Sequence, residues 1–303
     1  MRPITIVGAP SSIGIRPYDD GGSRRLDLSP RVLRELGLGR GARARDAGDV
    51  IPPPYRDFVR PNGRPRNEED VASYSCLLGE AVGAAARDRS FVVVLGGDCS
   101  IVLGCLLGAR PADRSRIGLA YIDAHADFAT PAESRTGSAA SMCLGLAVGR
   151  GDTPLARLGG DEPLVQGSDV VLIGRRDAVE ESWYGEHALS AAGVLDLTDS
   201  SVREHGIAPT AHAALERLTH PGTGGFWIHL DADVLDPKEM PAVDSPEPGG
   251  LSFNEIGQLL TPLVRHPAAL GLELTIYDPA LDPDRAAGRR LVDMLEDVLT
   301  NVT

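Results

Sequence analysis

Lysine is almost missing from this chain: of 30 basic residues only Lys238 is a lysine. A glycine-rich phosphate loop that ends in Lys-Ser/Thr therefore has nowhere to form, which removes nucleotide chemistry of that type. Cysteine is scarce too. The four, Cys76, Cys99, Cys105 and Cys143, form no C-x-x-C pair and no disulfide framework. No stretch reaches the roughly 18 apolar residues of a membrane-spanning helix. The N-terminus begins as a strand over Ile4–Gly8, with no basic region leading into a long apolar run. Repeats, low-complexity tracts and biased linkers are lacking as well. These absences predict a cytoplasmic protein. A formal charge of −13 disfavours nucleic acid and anionic membranes as partners and suits cationic ligands.

What the chain does have is a regular βα alternation. Apolar, β-branched runs predict strands over Ile4–Gly8, Phe91–Leu95, Ile117–Ile122, Val170–Ile173, Gly193–Asp196, Phe226–Leu230 and Ala269–Leu274. Helices are expected from a Ser29-Pro30 start to near Gly37, over Glu69–Ala86, Ile101–Ala109 and Pro283–Leu299, and from a Ser252/Glu255 capping box towards Leu263. The alternation implies a mainly parallel, doubly wound sheet covered on both faces, a three-layer α/β/α arrangement. Residues 1–303 are long enough for one such domain, with Pro52-Pro53-Pro54 and the 60–67 loop as insertions. Cys76, Cys105 and Cys143 read as core fillers.

Three short stretches carry the chemistry: Gly96-Gly-Asp-Cys-Ser100, Asp123-Ala-His-Ala-Asp127 and Asp231-Ala-Asp-Val-Leu-Asp-Pro237. Each follows an apolar strand, and ligand sites in open parallel sheets form at such strand ends. If the chain stays extended, Asp123, His125 and Asp127 share one side, as do Asp231 and Asp233. A single Asp-x-Asp is common in turns. Two of them, with an imidazole and a strand-end thiol, gather more negative charge than a dry site tolerates without a cation. Oxygen-rich ligation with one imidazole suits manganese. The chemistry implied is metal-activated water, and therefore hydrolysis.

The chain resembles the arginase and agmatinase family, the ureohydrolases, over nearly its whole length. The resemblance runs through Ile6-Val-Gly-Ala-Pro10, Gly96-Gly-Asp-x-Ser100, Asp123-Ala-His-Ala-Asp127 and Ile173-Gly-Arg-Arg-Asp177. It continues through His229-Leu-Asp-Ala-Asp-Val-Leu-Asp-Pro237, Pro248-Gly-Gly-Leu251 and Glu273-Leu-Thr-Ile-Tyr-Asp-Pro279. It implies two manganese ions. Cys99, Asp123, Asp127 and Asp231 would hold one and Asp123, His125, Asp231 and Asp233 the other, with Asp123 and Asp231 bridging. It implies further that Asp127 and Glu273 are the catalytic carboxylates, with Glu273 clamping a guanidinium. Thr136, Ser138 and Asp177 would join Glu273 in holding a small guanidine substrate.

Two departures from the family pattern bear on the substrate. Cys99 stands where the family has a histidine ligand, and Ala140 where arginases place the histidine proposed to shuttle protons. Arginine's leaving group is a strongly basic amine, and loss of a general acid costs about 10²–10⁴-fold. An N-hydroxyguanidine is less basic and brings its own ionisable N–OH. The pair of changes resembles the hydroxyarginine hydrolases that make hydroxyurea in cycloserine-type antibiotic biosynthesis. The reading is hydrolysis of Nω-hydroxy-L-arginine to hydroxyurea and L-ornithine. The alternatives are another guanidine hydrolase (arginase, agmatinase or guanidino-acid hydrolase) and a non-catalytic metal-binding pseudoenzyme.

Overall fold

The computed structural model describes residues 2–302 apart from 57–59, 61, 62, 88 and 112–114, and leaves out the side chains of 178 and 180. The insertion expected over 60–67 lies partly outside the described residues. Among the described residues eight strands are formed: β1 (Ile4–Ala9), β2 (Arg45–Asp49), β3 (Phe91–Gly96), β4 (Arg116–Ile122), β5 (Val170–Ile173), β6 (Leu195–Leu197), β7 (Thr223–Asp231) and β8 (Ala269–Thr275). They make one sheet in the order β2-β1-β3-β8-β7-β4-β5-β6, and every neighbouring pair is parallel.

The order explains where a site can form. From β1 the chain adds β2 at one edge and returns to β3. It then crosses to β4, builds outward to β6, and comes back to fill the gap with β7 and β8. The winding direction reverses around β3, β8, β7 and β4. Crossovers there leave on opposite faces, so a crevice opens at the carboxyl ends of those strands. β3 and β5 are buried at every position, as are all but the first residue of β4, as a sheet covered on both faces requires.

The covering helices are α1 (Ser29–Leu36), α2 (Glu68–Ala86), α3 (Ile101–Ala109), α4 (Cys143–Ala147), α5 (Ala178–Tyr184), α6 (Ala188–Ala191), α7 (Asp199–His205), α8 (Ile207–Leu218), α9 (Phe253–Arg265) and α10 (Ala286–Leu299). α2 packs along α3, touching β1 and β3, while α1, α10, α9 and α8 pack side by side as the other layer. The fold is the three-layer, doubly wound arrangement that the alternation implies. Among the described residues no helix is long and apolar enough to cross a membrane.

Several expectations need correcting. β2 was not foreseen because its residues, Arg-Asp-Ala-Gly-Asp, are all exposed. It is an edge strand tied down by Arg34 of α1, which pairs with Asp46 at 2.8 Å and Asp49 at 2.6 Å. Ser29 does not cap α1; it lies inside the first turn, following a 3-10 turn over Leu26–Leu28. Cys76 is exposed on α2 rather than in the core, whereas Cys105 and Cys143 are buried. The Ser252/Glu255 capping box forms as its sequence predicts.

Two glycines are dictated by close approach. A Cβ at Gly97 would sit 2.3 Å from the carbonyl oxygen of Ser11, so only glycine lets the β3 turn pass beneath the β1 loop. At Gly271 of β8 it would meet both the Trp227 ring and the Val92 carbonyl oxygen at 2.4 Å. Gly271→Ala should therefore lower the unfolding free energy by about 1–3 kcal/mol. Urea denaturation checks this, and an unchanged midpoint would contradict the packing described.

Candidate metal centre

β4 ends at Ile122 and β7 at Asp231, and the chain turns at once after each. The extended alternation expected through Asp127 does not continue, for Asp127 has a left-handed φ of 46°. After Asp231 the chain enters a 3-10 turn over Ala232–Val234. In each turn the leading aspartate uses one oxygen on the backbone. Asp123 Oδ1 accepts the His125 N–H at 2.7 Å, and Asp231 Oδ1 accepts the Asp233 N–H at 2.8 Å. The other oxygens face inward. Asp231 Oδ2 accepts from Cys99 Sγ at 2.8 Å and Thr275 Oγ1 at 3.0 Å, while Asp123 Oδ2 is buried with no hydrogen-bond partner among the described residues. Capping a turn and facing a cation are thus two jobs of one side chain.

Among the described residues two groups of metal-capable atoms result. Cys99, Asp123, His229 and Asp231 form one, and Asp123, His125 and Asp233 the other. Within each group the atoms lie within 4.8 Å of one another, and Asp123 belongs to both. The partition differs from the expected one at three points, the first being that His229 joins the first group. Asp231 enters only the first group. Asp127 enters neither: it lines the same cavity, and its Oδ2 accepts the Tyr121 hydroxyl at 2.6 Å.

His229 is the residue that sequence reasoning missed. Strand register places Tyr121, His229 and Glu273 side by side on β4, β7 and β8. The two-residue period puts Tyr121 on the face of Asp123, and His229 on the face of Asp231. The Tyr121 and His229 rings stack at 4.0 Å and 14°. His229 Nδ1 is 2.8 Å from Glu273 Oε1, which leaves Nε2 facing Asp123 Oδ2 at 3.5 Å. The spacing His229-Leu-Asp231 was the available signal.

The same row bears on the guanidinium clamp expected at Glu273. Glu273 is fully buried beneath the site, is held by His229 and does not line the cavity. Asp177 is likewise behind the site rather than in it. It accepts the Ala126 N–H at 3.0 Å and pairs with Arg175 at 3.3 Å, bracing the loop that carries His125. Thr136, Ser138 and Ala140 do line the cavity. Thr136 Oγ1 accepts the Ser138 N–H at 3.2 Å, and Ser138 Oγ accepts the Arg16 N–H at 3.1 Å. Ile276 completes the wall with φ 64°, a conformation β-branched residues rarely adopt.

Burial opposes charge throughout the cluster. It pushes Asp231 well above the ordinary carboxylate range, aided by Asp233 and Asp123, and raises Asp233 with Asp123's help. Burial and the three neighbouring aspartates also push the Cys99 thiol up. Against the same burial, Asp123 is held below the usual range by His125 and His229. His229 is pushed up to about 9: burial works against its charge, but Asp123 and Glu273 prevail. The protein alone can tolerate these groups only by holding protons. A buried carboxylate oxygen without a partner and ligand atoms converging in two groups fit divalent cations, which would replace those protons.

The comparisons with known proteins agree with this geometry. The Arginase family model matches residues 2–299. An arginase from Bacillus caldovelox is 31% identical over 289 residues, covering 93% of each chain. One from Bacillus subtilis is 29% identical, covering 95% of this chain and 97% of its own. The solved arginase structure from Bacillus caldovelox superposes with a TM-score of 0.85 at 28% identity, covering 99% of this chain and 98% of that one.

The proton-holding cluster sets a pH dependence. A histidine raised on folding stabilises fully below its ordinary value of 6.5 and loses that contribution as pH rises through about 9. The raised Asp231 and Asp233 act with the same sign. Chelator-treated protein should therefore melt at a progressively lower temperature between pH 6.5 and 9, and divalent metal should restore the loss. A metal-free melting temperature that holds or rises over that interval contradicts the charge balance described.

Proposed function

The chain belongs to the arginase family and is a hydrolase of amidino or guanidino groups; within that family we propose that it cleaves Nω-hydroxy-L-arginine to hydroxyurea and L-ornithine. The observation that carries this reading is Ala140 in the cavity wall, whose methyl side chain cannot serve as a dedicated proton donor to a departing amine. Hydroxyarginine suffers least from that loss, because its head group is largely neutral near pH 7 and carries an ionisable N–OH.

The proposed cofactor is a pair of manganese ions, favoured by a ligand set in which carboxylate oxygens outnumber the thiol and imidazoles. When bound, they would supply an activated water for attack on the guanidine carbon. Cys99, Asp123, His125, Asp127, Asp231 and Asp233 are the proposed ligands, and His229 joins them at the first group. Asp123 and Asp231 are locked by their turns. Asp127, whose carboxylate accepts the Tyr121 hydroxyl, would receive a proton from the attacking water. The bond that breaks joins the guanidine carbon to the ornithine side-chain nitrogen, which leaves as an amine after taking up that proton. Thr136 and Ser138 offer hydroxyls to the amino-acid end of the substrate. Residues 1–303 act on this reading as a single cytoplasmic catalytic domain with a small-molecule substrate and neither nucleic acid nor membrane as partner.

Arginine hydrolysis is the competing reading, favoured by the arginases among the relatives. The discriminating assay is a guanidine panel with manganese and identification of the urea-type product. The expected kcat/KM ratio is at least ~10² in favour of hydroxyarginine, the usual worth of a general acid. Equal or better turnover of arginine would reject the assignment. Ala140→His should raise kcat on arginine while changing hydroxyarginine little, whereas Cys99→His should retain metal without creating an efficient arginase. No gain on arginine from Ala140→His, with metal content and fold intact, would show that proton delivery is not what separates the substrates.

A further inference from the structure

The cavity over the metal cluster is small, about 130 Å³, and one carboxylate among its described lining residues lies outside the proposed ligand set: Asp244. With Glu273 sealed beneath the sheet ends, Asp244 is the carboxylate of that lining left to meet a substrate head, while Glu247 lies outside the lining with Oε1 4.0 Å from His125 Nε2. It does not stand alone. Arg24 Nε donates to Asp244 Oδ2 at 2.9 Å, and the two side chains are only 11% and 6% exposed. Arg24 is fixed in turn by the Tyr18 ring at 4.2 Å and by the Arg16 carbonyl oxygen, which accepts from its Nη1.

One polar atom of each partner is left over. Asp244 Oδ1 and Arg24 Nη2 have no hydrogen-bond partner among the described residues, and neither is sealed from solvent. Burial holds the Asp244 carboxyl above the ordinary range against Arg24. Asp233 pushes it further up and His125 pulls it down, which places Asp244 within reach of the charges of the metal cluster.

We propose that Asp244 contacts the reacting head of the substrate, and that its buried pairing with Arg24 makes the site select a neutral head over a cationic one. An unpaired carboxylate in a dry cavity would favour guanidinium through two parallel charge-assisted hydrogen bonds. Here one oxygen already belongs to a guanidinium, so an incoming cation would meet a like charge in poorly screened surroundings. A neutral N–H or N–OH donor can bind Oδ1 without that repulsion. This inference rests on the guanidine-hydrolase reading and narrows it to head groups uncharged near pH 7, of which N-hydroxyguanidine is one.

The test uses the manganese-loaded full chain and two probes of similar size, guanidinium and hydroxyurea. Each is measured calorimetrically and as a competitive inhibitor of the best substrate in the guanidine panel. Wild type should bind hydroxyurea at least ~10-fold more tightly than guanidinium, and Arg24→Met should move that ratio at least ~10-fold towards guanidinium. Asp244→Asn should weaken hydroxyurea without improving guanidinium. A ratio unmoved by Arg24→Met, in protein with normal metal content and melting profile, overturns the proposal, as does a wild-type preference for guanidinium. If Arg24→Met does not fold, the Arg24→Met/Asp244→Asn double variant takes its place. It should lose the preference for hydroxyurea, and retaining that preference overturns the proposal. Calorimetry needs no turnover. Arginine turnover equal to hydroxyarginine alongside a shifted probe ratio would sink the substrate assignment and leave the Asp244 role standing.

Discussion

Buried negative charge is the constraint around which this molecule is organised. Asp123, Asp127, Asp231 and Asp233 and the Cys99 thiol meet at the ends of three strands, with His125 and His229 as imidazole partners among them. In low-dielectric surroundings such a set cannot be fully ionised without added cations. Local structure serves to hold it in place. Asp98 ties the β1 loop to the β3 turn, accepting from Ser11 Oγ at 2.7 Å and from the Ser100 N–H at 3.0 Å. Gly97 lets the two backbones touch, and each leading aspartate closes its own turn before facing inward.

Beneath the cluster, the row of Tyr121, His229 and Glu273 works as a brace. Its members lie on three adjacent strands, so the sheet register fixes their relative positions. Glu273 orients the His229 ring, the ring stacks on Tyr121, and the Tyr121 hydroxyl orients Asp127. The brace also displaces a function. A glutamate committed to holding an imidazole in the core cannot hold a substrate, and the cavity instead carries the Arg24–Asp244 pair on its wall. On the proposal made above, substrate choice turns on Asp244 and its arginine.

What was legible in the sequence follows physical lines. Strands buried on both faces announce themselves as apolar runs, and Asp-x-Asp after such a run marks a strand end, so the cluster and the layered fold were readable. β2 was not, because an exposed edge strand held by ion pairs carries no apolar pattern. Glu273 and Asp177 were assigned to the substrate because motif position says where a residue lies along the chain but not which way its side chain faces. The two-residue period of β8 places Glu273 level with His229, under the site. Asp244 had no signal of its own, since its partner lies 220 positions away in the chain.

The central claim is that the cluster is built for two cations rather than for protons. Elemental analysis of the full chain after manganese loading and exhaustive dialysis tests it directly. The account predicts two manganese ions per chain, falling to none with Asp123→Ala because that residue serves both groups. One ion or fewer in wild type, or two retained without Asp123, would contradict it.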